Sequence, residues 1–115
     1  MLRGEVWQVD FNPVRGSEAN KVRPAVIVSN DRANATASRL GRGVVTVVPV
    51  TSNVATAYPF QVLLTAGATG LAVDSKAQAE QIRSVAAERF RRRLGRISAT
   101  ELSQLDDALR LHLDL

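Results

Sequence analysis

The side chains of this chain best suited to bind an anion are its arginines. The 15 Lys and Arg residues against 11 Asp and Glu residues give a formal net charge of +4, and most of the basic residues are arginine. The planar guanidinium group matches phosphate through parallel hydrogen bonds. Nucleic acid is therefore a reasonable partner, although a charge of +4 is modest. The densest basic cluster, typical of a solvated face or of a surface that steers a nucleic-acid backbone, is Arg89, Arg91, Arg92, Arg93 and Arg96.

Composition excludes several classes of site. The chain has no cysteine, which excludes disulfides, thiolate metal sites and a cysteine nucleophile, and which suits a reducing cytoplasm. His112 is the single histidine, so neither a zinc site nor a Ser-His-Asp triad is expected. Arg3 and Glu5 interrupt any signal-peptide pattern, and no apolar run approaches the roughly 20 residues of a membrane helix. We expect a cytoplasmic protein with no metal and no cofactor.

The apolar pattern predicts a mainly β domain spanning residues 1–115. Residues 5–11 alternate in polarity, and residues 43–50 contain five valines among eight, a composition that favours strands. Polar loops are expected at residues 13–22 and 51–59, and a turn at residues 67–70. The predicted strands are residues 5–11, 25–29, 43–50, 60–65, 76–85 and 94–97.

Two helices are predicted beside these strands. Residues 30–40 are rich in alanine and polar side chains, which indicates a short, mostly exposed helix. Ser98 with Glu101 three residues later makes a capping box. The leucines at 102, 105, 109 and 113 then fall on one helical face. Short strands with a middle helix and a final helix predict a small, partly closed barrel.

Five segments and the capped final helix resemble one family in order along the whole chain. The segments are RGEVWQVDFNP (residues 3–13), GSE (16–18), RPAVIVSND (23–31), VPVTSN (48–53) and AEQIRS (79–84). This pattern is similar to that of the MazF/PemK/Kid toxins. The resemblance implies an SH3-like, partly open barrel of the CcdB/PemK type that acts as a homodimer. It also implies cleavage of single-stranded RNA at a short sequence motif and inhibition by a cognate MazE-type antitoxin.

RNA cleavage of this kind asks little of the protein, because the ribose 2′-OH is the nucleophile. The protein must align that oxygen, stabilise charge on the phosphoryl oxygens and move protons. The resemblance implies that Arg23, in the R-P step, is catalytic. A guanidinium group keeps its proton under ordinary conditions, so we interpret Arg23 as an electrostatic stabiliser and a possible acid. Thr51 matches the second catalytic position; its alternative role is to satisfy local backbone at the end of a strand.

The remaining candidate residues follow from the same match, each with ordinary loop or edge polarity as the alternative. Glu18 and Glu80 are candidate acceptors of the 2′-OH proton. Kid-type members carry a histidine where this chain has Ser17 and an arginine where it has Gln78, which places the chain closer to the MazF branch. Tyr58 is the better candidate to stack a base, because Phe60 opens a strand. The predicted RNA-binding residues are Ser17, Ser52, Asn53, Tyr58, Gln78 and Gln81.

Two other functions are compatible with the same fold. A CcdB-like toxin would bind gyrase and cleave nothing, and it would not need Arg23 and Thr51. A non-catalytic SH3-like module would bind RNA or a peptide in the same groove.

Overall fold

The computed structural model describes residues 1–11 and 22–115. The helices are α1 (Asp31–Leu40) and α2 (Ala99–Leu113), and single 3₁₀ turns lie at Ala79–Gln81 and Ala87–Arg89. Ser17 and Glu18, two of the predicted site residues, lie outside the described residues. The strands are β1 (Glu5–Asp10), β2 (Val22–Ile27), β3 (Val44–Thr51), β4 (Gln61–Leu64), β5 (Ser75–Gln78), β6 (Arg83–Ala86) and β7 (Phe90–Arg96).

The strands form an antiparallel sheet in the order β4-β5-β3-β2-β1-β7, with β6 also paired to β3. Within the described ranges no ladder joins β4 to β7, so the sheet does not close. The connection between β4 and β5 crosses toward β7 instead, where the Arg96 N–H donates to the Ala68 carbonyl at 3.2 Å. The predicted mainly β, partly open fold with a short helix and a C-terminal helix is confirmed.

The valine-rich strand β3 is buried on both faces. Val45 and Val47 pack into one cluster with Val9, Ile27 and Phe90. The other face contributes Val48 and Val50 to a second cluster, which includes the α2 residues Leu105 and Leu109. Burial on both faces explains a nearly continuous apolar run, since alternation is expected only where one face meets water.

The prediction of one strand over residues 76–85 is wrong. Between the pairs Val50–Ala77 and Val47–Arg83, β3 has two residues and its partner segment has five. The 3₁₀ turn at Ala79–Gln81 takes up the three extra residues, and the Ile82 N–H donates to the Ala79 carbonyl at 3.1 Å. The segment is therefore two strands, β5 and β6, on the same side of β3.

The final strand is longer than predicted. We expected it near residues 94–97, whereas β7 begins at Phe90 and carries the arginine cluster on a ladder with β1. Trp7 of β1 meets Phe90 edge to face, with ring centroids 6.0 Å apart. This aromatic contact anchors the start of β7 in spite of its charged middle.

Both helices begin at capped residues. The Asn30 side chain accepts from the Ala33 N–H at 2.8 Å to start α1, and Ser98 and Glu101 form the predicted capping box at α2. Leu105 and Leu109 are buried as predicted, but Leu113 is 46% exposed. The apolar face of α2 thus extends beyond the part of the helix that packs on the sheet. In the described part of the chain, no helix has the length and apolar character needed to cross a membrane.

Glu5 joins the N-terminus to two neighbouring strands. Its carboxylate accepts from the Leu2 N–H at 2.9 Å, the Trp7 indole at 3.0 Å and the Arg93 guanidinium at 2.8 Å. Burial is the largest influence on the pKa of Glu5 and raises it. The hydrogen bonds from Leu2, Trp7 and Arg93, together with the N-terminal ammonium, outweigh burial, so the pKa is lowered overall.

Two glycines bring the β4–β5 connection against β7. Gly70 has a φ of +78°, and a Cβ there would lie 2.1 Å from the Leu94 carbonyl oxygen. A Cβ at Gly95 would lie 2.4 Å from the Ala68 carbonyl oxygen. Backbone meets backbone at both positions, so only glycine fits this contact.

We expect Glu5→Gln to lower the free energy of unfolding by about 1–3 kcal/mol at neutral pH, the scale of a charge-assisted buried hydrogen-bond set. Because the folded-state pKa is depressed, the wild-type advantage exists above the unfolded pKa and is lost as pH falls through the folded pKa. Urea unfolding at a series of pH values measures the difference. Glu88→Gln, at an exposed position, is the control, and an identical pH dependence for both variants would contradict the interpretation.

Gly70→Ala should lower the free energy of unfolding by about 2–5 kcal/mol, because backbone strain adds to a steric clash. Gly67 lies in the same connection with a φ of +105° and has no atom within 4 Å of a built Cβ. Gly67→Ala should therefore cost only the strain, about 1–2 kcal/mol. Thermal unfolding of the two variants compares them directly, and equal losses would show that the contact with β7 is unimportant.

Candidate active site

A cleft opens where β2 and β3 separate. Their ladder ends at the pair Ala25–Pro49; beyond it β2 stays paired with β1 and β3 pairs with β5. Because the two strands follow different partners, a gap forms between them. The cleft has a volume of about 570 Å³ and apolar walls that include Leu71, Val73 and Leu94. Its polar side chains belong to Gln8, Arg23, Thr51, Ser52, Ser75 and Arg92.

Arg23 and Thr51 meet at this gap. Arg23 lies two residues before Ala25 and Thr51 two residues after Pro49, the last β2–β3 pair. Their side chains therefore leave the same face of the sheet, and both line the cleft. Arg23 is exposed and forms no ion pair with any carboxylate in the described ranges. The sheet thus brings together the two residues that the resemblance predicts to be catalytic.

The Thr51 hydroxyl accepts a hydrogen bond and donates none to the described residues. Its Oγ1 accepts from the Asn53 N–H at 3.2 Å, and Asn53 Oδ1 accepts in turn from the Ala55 N–H at 3.2 Å. The first bond is the local backbone role that the sequence left as an alternative for Thr51. It uses only acceptor capacity, so the O–H can still donate to an oxygen in the cleft.

A buried lysine fixes the loop that follows Thr51. Lys76 of β5 is the cross-strand partner of Thr51 and is 7% exposed. Its ammonium donates a hydrogen bond to the Thr56 carbonyl, which ties the middle of the 52–60 segment to β5. This contact was not anticipated from the sequence, because a lone lysine on an alternating segment predicts a solvated charge.

The other described candidates lie in different places. Ser52 lines the cleft, and Asn53 follows it on the exposed loop. Gln78 ends β5, where it pairs with Gln61, and Gln81 lies exposed in the 3₁₀ turn. None of Asn53, Gln78 and Gln81 belongs to the described lining of the cleft.

Glu80 is engaged by Gln61. Its Oε2 accepts from Gln61 Nε2 at 2.8 Å, and Gln61 Oε1 accepts from the Tyr58 N–H at 3.1 Å. Glu80 Oε1 is buried and meets no donor among the described residues. The carboxylate lies away from the cleft, so the structure does not bring it to Arg23.

Tyr58 presents an aromatic surface beside the loop. Its ring stacks on Phe60 at 5.5 Å with an interplanar angle of 10° and is 53% exposed. Tyr58 borders a separate groove with Leu63 and Leu111. The half-buried Phe60 supports the ring from behind, so the exposed face belongs to Tyr58, as expected from the sequence.

Three polar residues of the cleft were missed by the sequence reasoning: Gln8, Ser75 and Arg92. Gln8 lies on β1 opposite Pro24 and Arg92, and its buried Oε1 meets no donor in the described part of the chain. Arg92 appeared only as one member of the arginine cluster. The alternation of side chains along a strand that begins at Phe90 would have separated Arg92 from its neighbours. The predicted strand began after Arg92, so this signal was lost.

Comparisons with known proteins agree on one family. The profile of the PemK-like, MazF-like toxins of type II toxin–antitoxin systems matches residues 2–113. The whole chain is 75% identical to endoribonuclease MazF9 of Mycobacterium tuberculosis, over 98% of that protein. A mycobacterial endoribonuclease solved with its cognate antitoxin shares the fold with a TM-score of 0.77 at 22% identity, over 100% of this chain and 96% of that one. MazF from Deinococcus radiodurans has a TM-score of 0.77 at 27% identity, over 100% of this chain and 97% of that one.

Lys76→Met should release the loop while leaving the sheet intact, because the apolar stem is kept and only the bond to the Thr56 carbonyl is lost. We expect faster amide hydrogen exchange at residues 52–57 with little change in β5 or β3, measured by mass spectrometry or NMR. Uniformly faster exchange would indicate a global role for Lys76, and unchanged exchange would show that the bond does not hold the loop.

Proposed function

Because the chain belongs to the PemK-like, MazF-like toxins of type II toxin–antitoxin systems, we propose that it is an endoribonuclease that cleaves single-stranded RNA at a short sequence motif without a metal ion. The observation that carries this proposal is the convergence of Arg23 and Thr51 at one open cleft. Its site of action is the cytoplasm.

The reaction proceeds by attack of the ribose 2′-oxygen on the adjacent phosphorus. The bond from phosphorus to the 5′-oxygen breaks as that oxygen takes up a proton, from water or from an acid in the cleft, which leaves a 2′,3′-cyclic phosphate and a 5′-OH. Negative charge accumulates on the phosphoryl oxygens during this exchange. A fixed cation in the cleft stabilises that charge, and the rate gain comes from preorganised electrostatics and alignment rather than from a covalent enzyme intermediate.

Arg23 supplies that cation. Its side chain is exposed and has no carboxylate partner among the described residues, and its fork of donors matches two phosphoryl oxygens. Thr51 donates its remaining O–H proton to a phosphoryl oxygen or orients the 2′-OH. The Asn53 N–H occupies one acceptor position of the Thr51 hydroxyl, which leaves its O–H available as a donor.

Proton removal from the 2′-OH is assigned to a glutamate. Glu80 binds Gln61 through one oxygen and does not line the cleft. Glu18, which the resemblance places in the first loop, is therefore the stronger of the two predicted acceptors.

The proposed RNA contacts extend from the cleft along the 51–60 segment. Ser52 is at the cleft itself, and the exposed Tyr58 ring offers a stacking surface, a contact worth about 1–3 kcal/mol per base. Ser17, Asn53, Gln78 and Gln81 stay predicted contacts. A solved structure with the same fold contains an endoribonuclease in complex with its cognate antitoxin. We propose that this chain is likewise inhibited by an antitoxin, of the MazE type, and that it acts as a homodimer.

Digestion of a base-diverse RNA set with purified protein in excess chelator tests this proposal. We expect RNA fragments that end in 2′,3′-cyclic phosphate, with no cleavage of a DNA oligomer of the same sequence, because DNA lacks the nucleophile. Arg23→Ala should reduce kcat/KM by about 100-fold or more, the usual loss when one transition-state donor is removed.

Arg42→Ala is the matched control, since Arg42 is an exposed arginine outside the cleft. It should cleave like the wild type. If folded protein leaves every RNA intact, the proposal is wrong and a binding-only function follows, with gyrase the next partner to test. Cleavage that survives Arg23→Ala would instead remove Arg23 from the mechanism.

A further inference from the structure

Three consecutive arginines on β7 have different surroundings. Arg91 Nη2 contacts Asp10 Oδ2 at 2.9 Å, and its Nη1 donates to the Glu88 carbonyl at 2.8 Å. Arg93 Nε contacts Glu5 Oε2 at 2.8 Å. Arg92, between them, meets no carboxylate in the described ranges and lines the cleft. The two outer arginines form ion pairs at the protein surface, whereas the middle one forms none with the described residues.

Two β-bulges set which arginines of β7 lie opposite which residues of β1. Leu94 is the extra residue between the pairs Val6–Gly95 and Trp7–Arg93, and Arg91 is the extra residue between Gln8–Arg92 and Val9–Phe90. Successive residues of a strand face opposite sides of the sheet, and the extra residues at the bulges decide which arginine falls on which side. Arg93 therefore shares a face with Trp7 and reaches Glu5, whereas Arg92 shares a face with Gln8 and reaches the cleft.

The charges on the cleft are of one sign. Of the described residues that line it, only Arg23 and Arg92 are ionisable at neutral pH. Arg23 pairs with Val9 and Arg92 with Gln8, and successive β1 residues face opposite sides of the sheet. Arg23 and Arg92 lie on β2 and β7, the two strands that flank β1. Their main chains are therefore about 10 Å apart, two strand spacings, and the two side chains reach the cleft from separate positions.

We propose that Arg92 binds a phosphate of the RNA next to the scissile one, so that the substrate backbone is held at two successive points across the cleft. This inference rests on the proposed function, because it assigns the scissile phosphate to Arg23. Arg92 is a binding residue in this scheme and takes no part in proton transfer.

Arg92→Gln should raise KM for a cleavable RNA about tenfold with kcat within about twofold, since a phosphate contact away from the reacting atoms adds uniform binding. Loss of one phosphate contact should also make the slope of log(kcat/KM) against log salt concentration less negative by about 0.7. Arg42→Gln, with the same change in charge outside the cleft, should leave both quantities unchanged. Circular dichroism and thermal unfolding confirm that each variant is folded.

A scan of single neutral methylphosphonate linkages identifies the phosphate. For the wild type, a neutral linkage beside the cleavage position should lower the affinity for RNA. For Arg92→Gln, the neutral linkage at that one position should cause no further loss of affinity. Equal sensitivity of Arg92→Gln and wild type at every linkage would overturn the assignment.

Binding of an RNA blocked by 2′-O-methylation separates this inference from the nuclease proposal. Anisotropy that shows the flattened salt slope for Arg92→Gln, in a protein that cleaves nothing, would sustain the phosphate contact and reject the nuclease. If the wild type cleaves RNA and Arg92→Gln has the same KM and salt dependence as Arg42→Gln, the phosphate contact of Arg92 is rejected and the nuclease proposal stands. No binding of RNA by the wild type would reject both.

Discussion

The whole architecture depends on the hydrogen bonding of β3. This strand is apolar on both faces, so its backbone N–H and C=O groups lie away from water and must be paired within the protein. Three strands provide the partners, since β2, β5 and β6 each pair with a different stretch of it. β2 lies along one edge of β3, and β5 and β6 lie along the other. Beyond the pair Ala25–Pro49, β2 continues beside β1 and β3 continues beside β5, and the gap opens between β2 and β3.

The cleft is therefore a by-product of satisfying the core, and its chemistry is placed at the strand ends. Residues inside the ladders are committed to packing, whereas Arg23 and Thr51 lie just beyond the last β2–β3 pair. Their backbones are still held by β1 and β5. Such positions combine a rigid main chain with a side chain that is free to bind, which is what electrostatic preorganisation requires.

Much of the fold could be predicted from the sequence, because local signals there agree. The capping box at Ser98, the Asn30 start of α1 and the valines of β3 are each sufficient by themselves. The break at Ala79–Gln81 could not be predicted, since it arises from the unequal spacing of pairs along β3, which is a tertiary constraint. Arg23 and Thr51 were found through motif resemblance, whereas Arg92 and Lys76 depend on bulges and cross-strand partners that no local pattern records. The same limit applies to Glu80, whose bond to Gln61 joins residues 19 positions apart.

The bulges of β7 also affect the tendency of this protein to aggregate. β7 lies at the end of the strand order, and an exposed flat edge can recruit another chain and grow an intermolecular sheet. Here, two irregular steps within seven residues spoil the repeat of backbone donors and acceptors. In an antiparallel pairing centred on the 91–93 stretch, the arginines of one copy would also lie opposite arginines of the other, and like charges placed opposite each other repel. The two bulges of β7 thus make this edge of the sheet a poor template for fibrous aggregation.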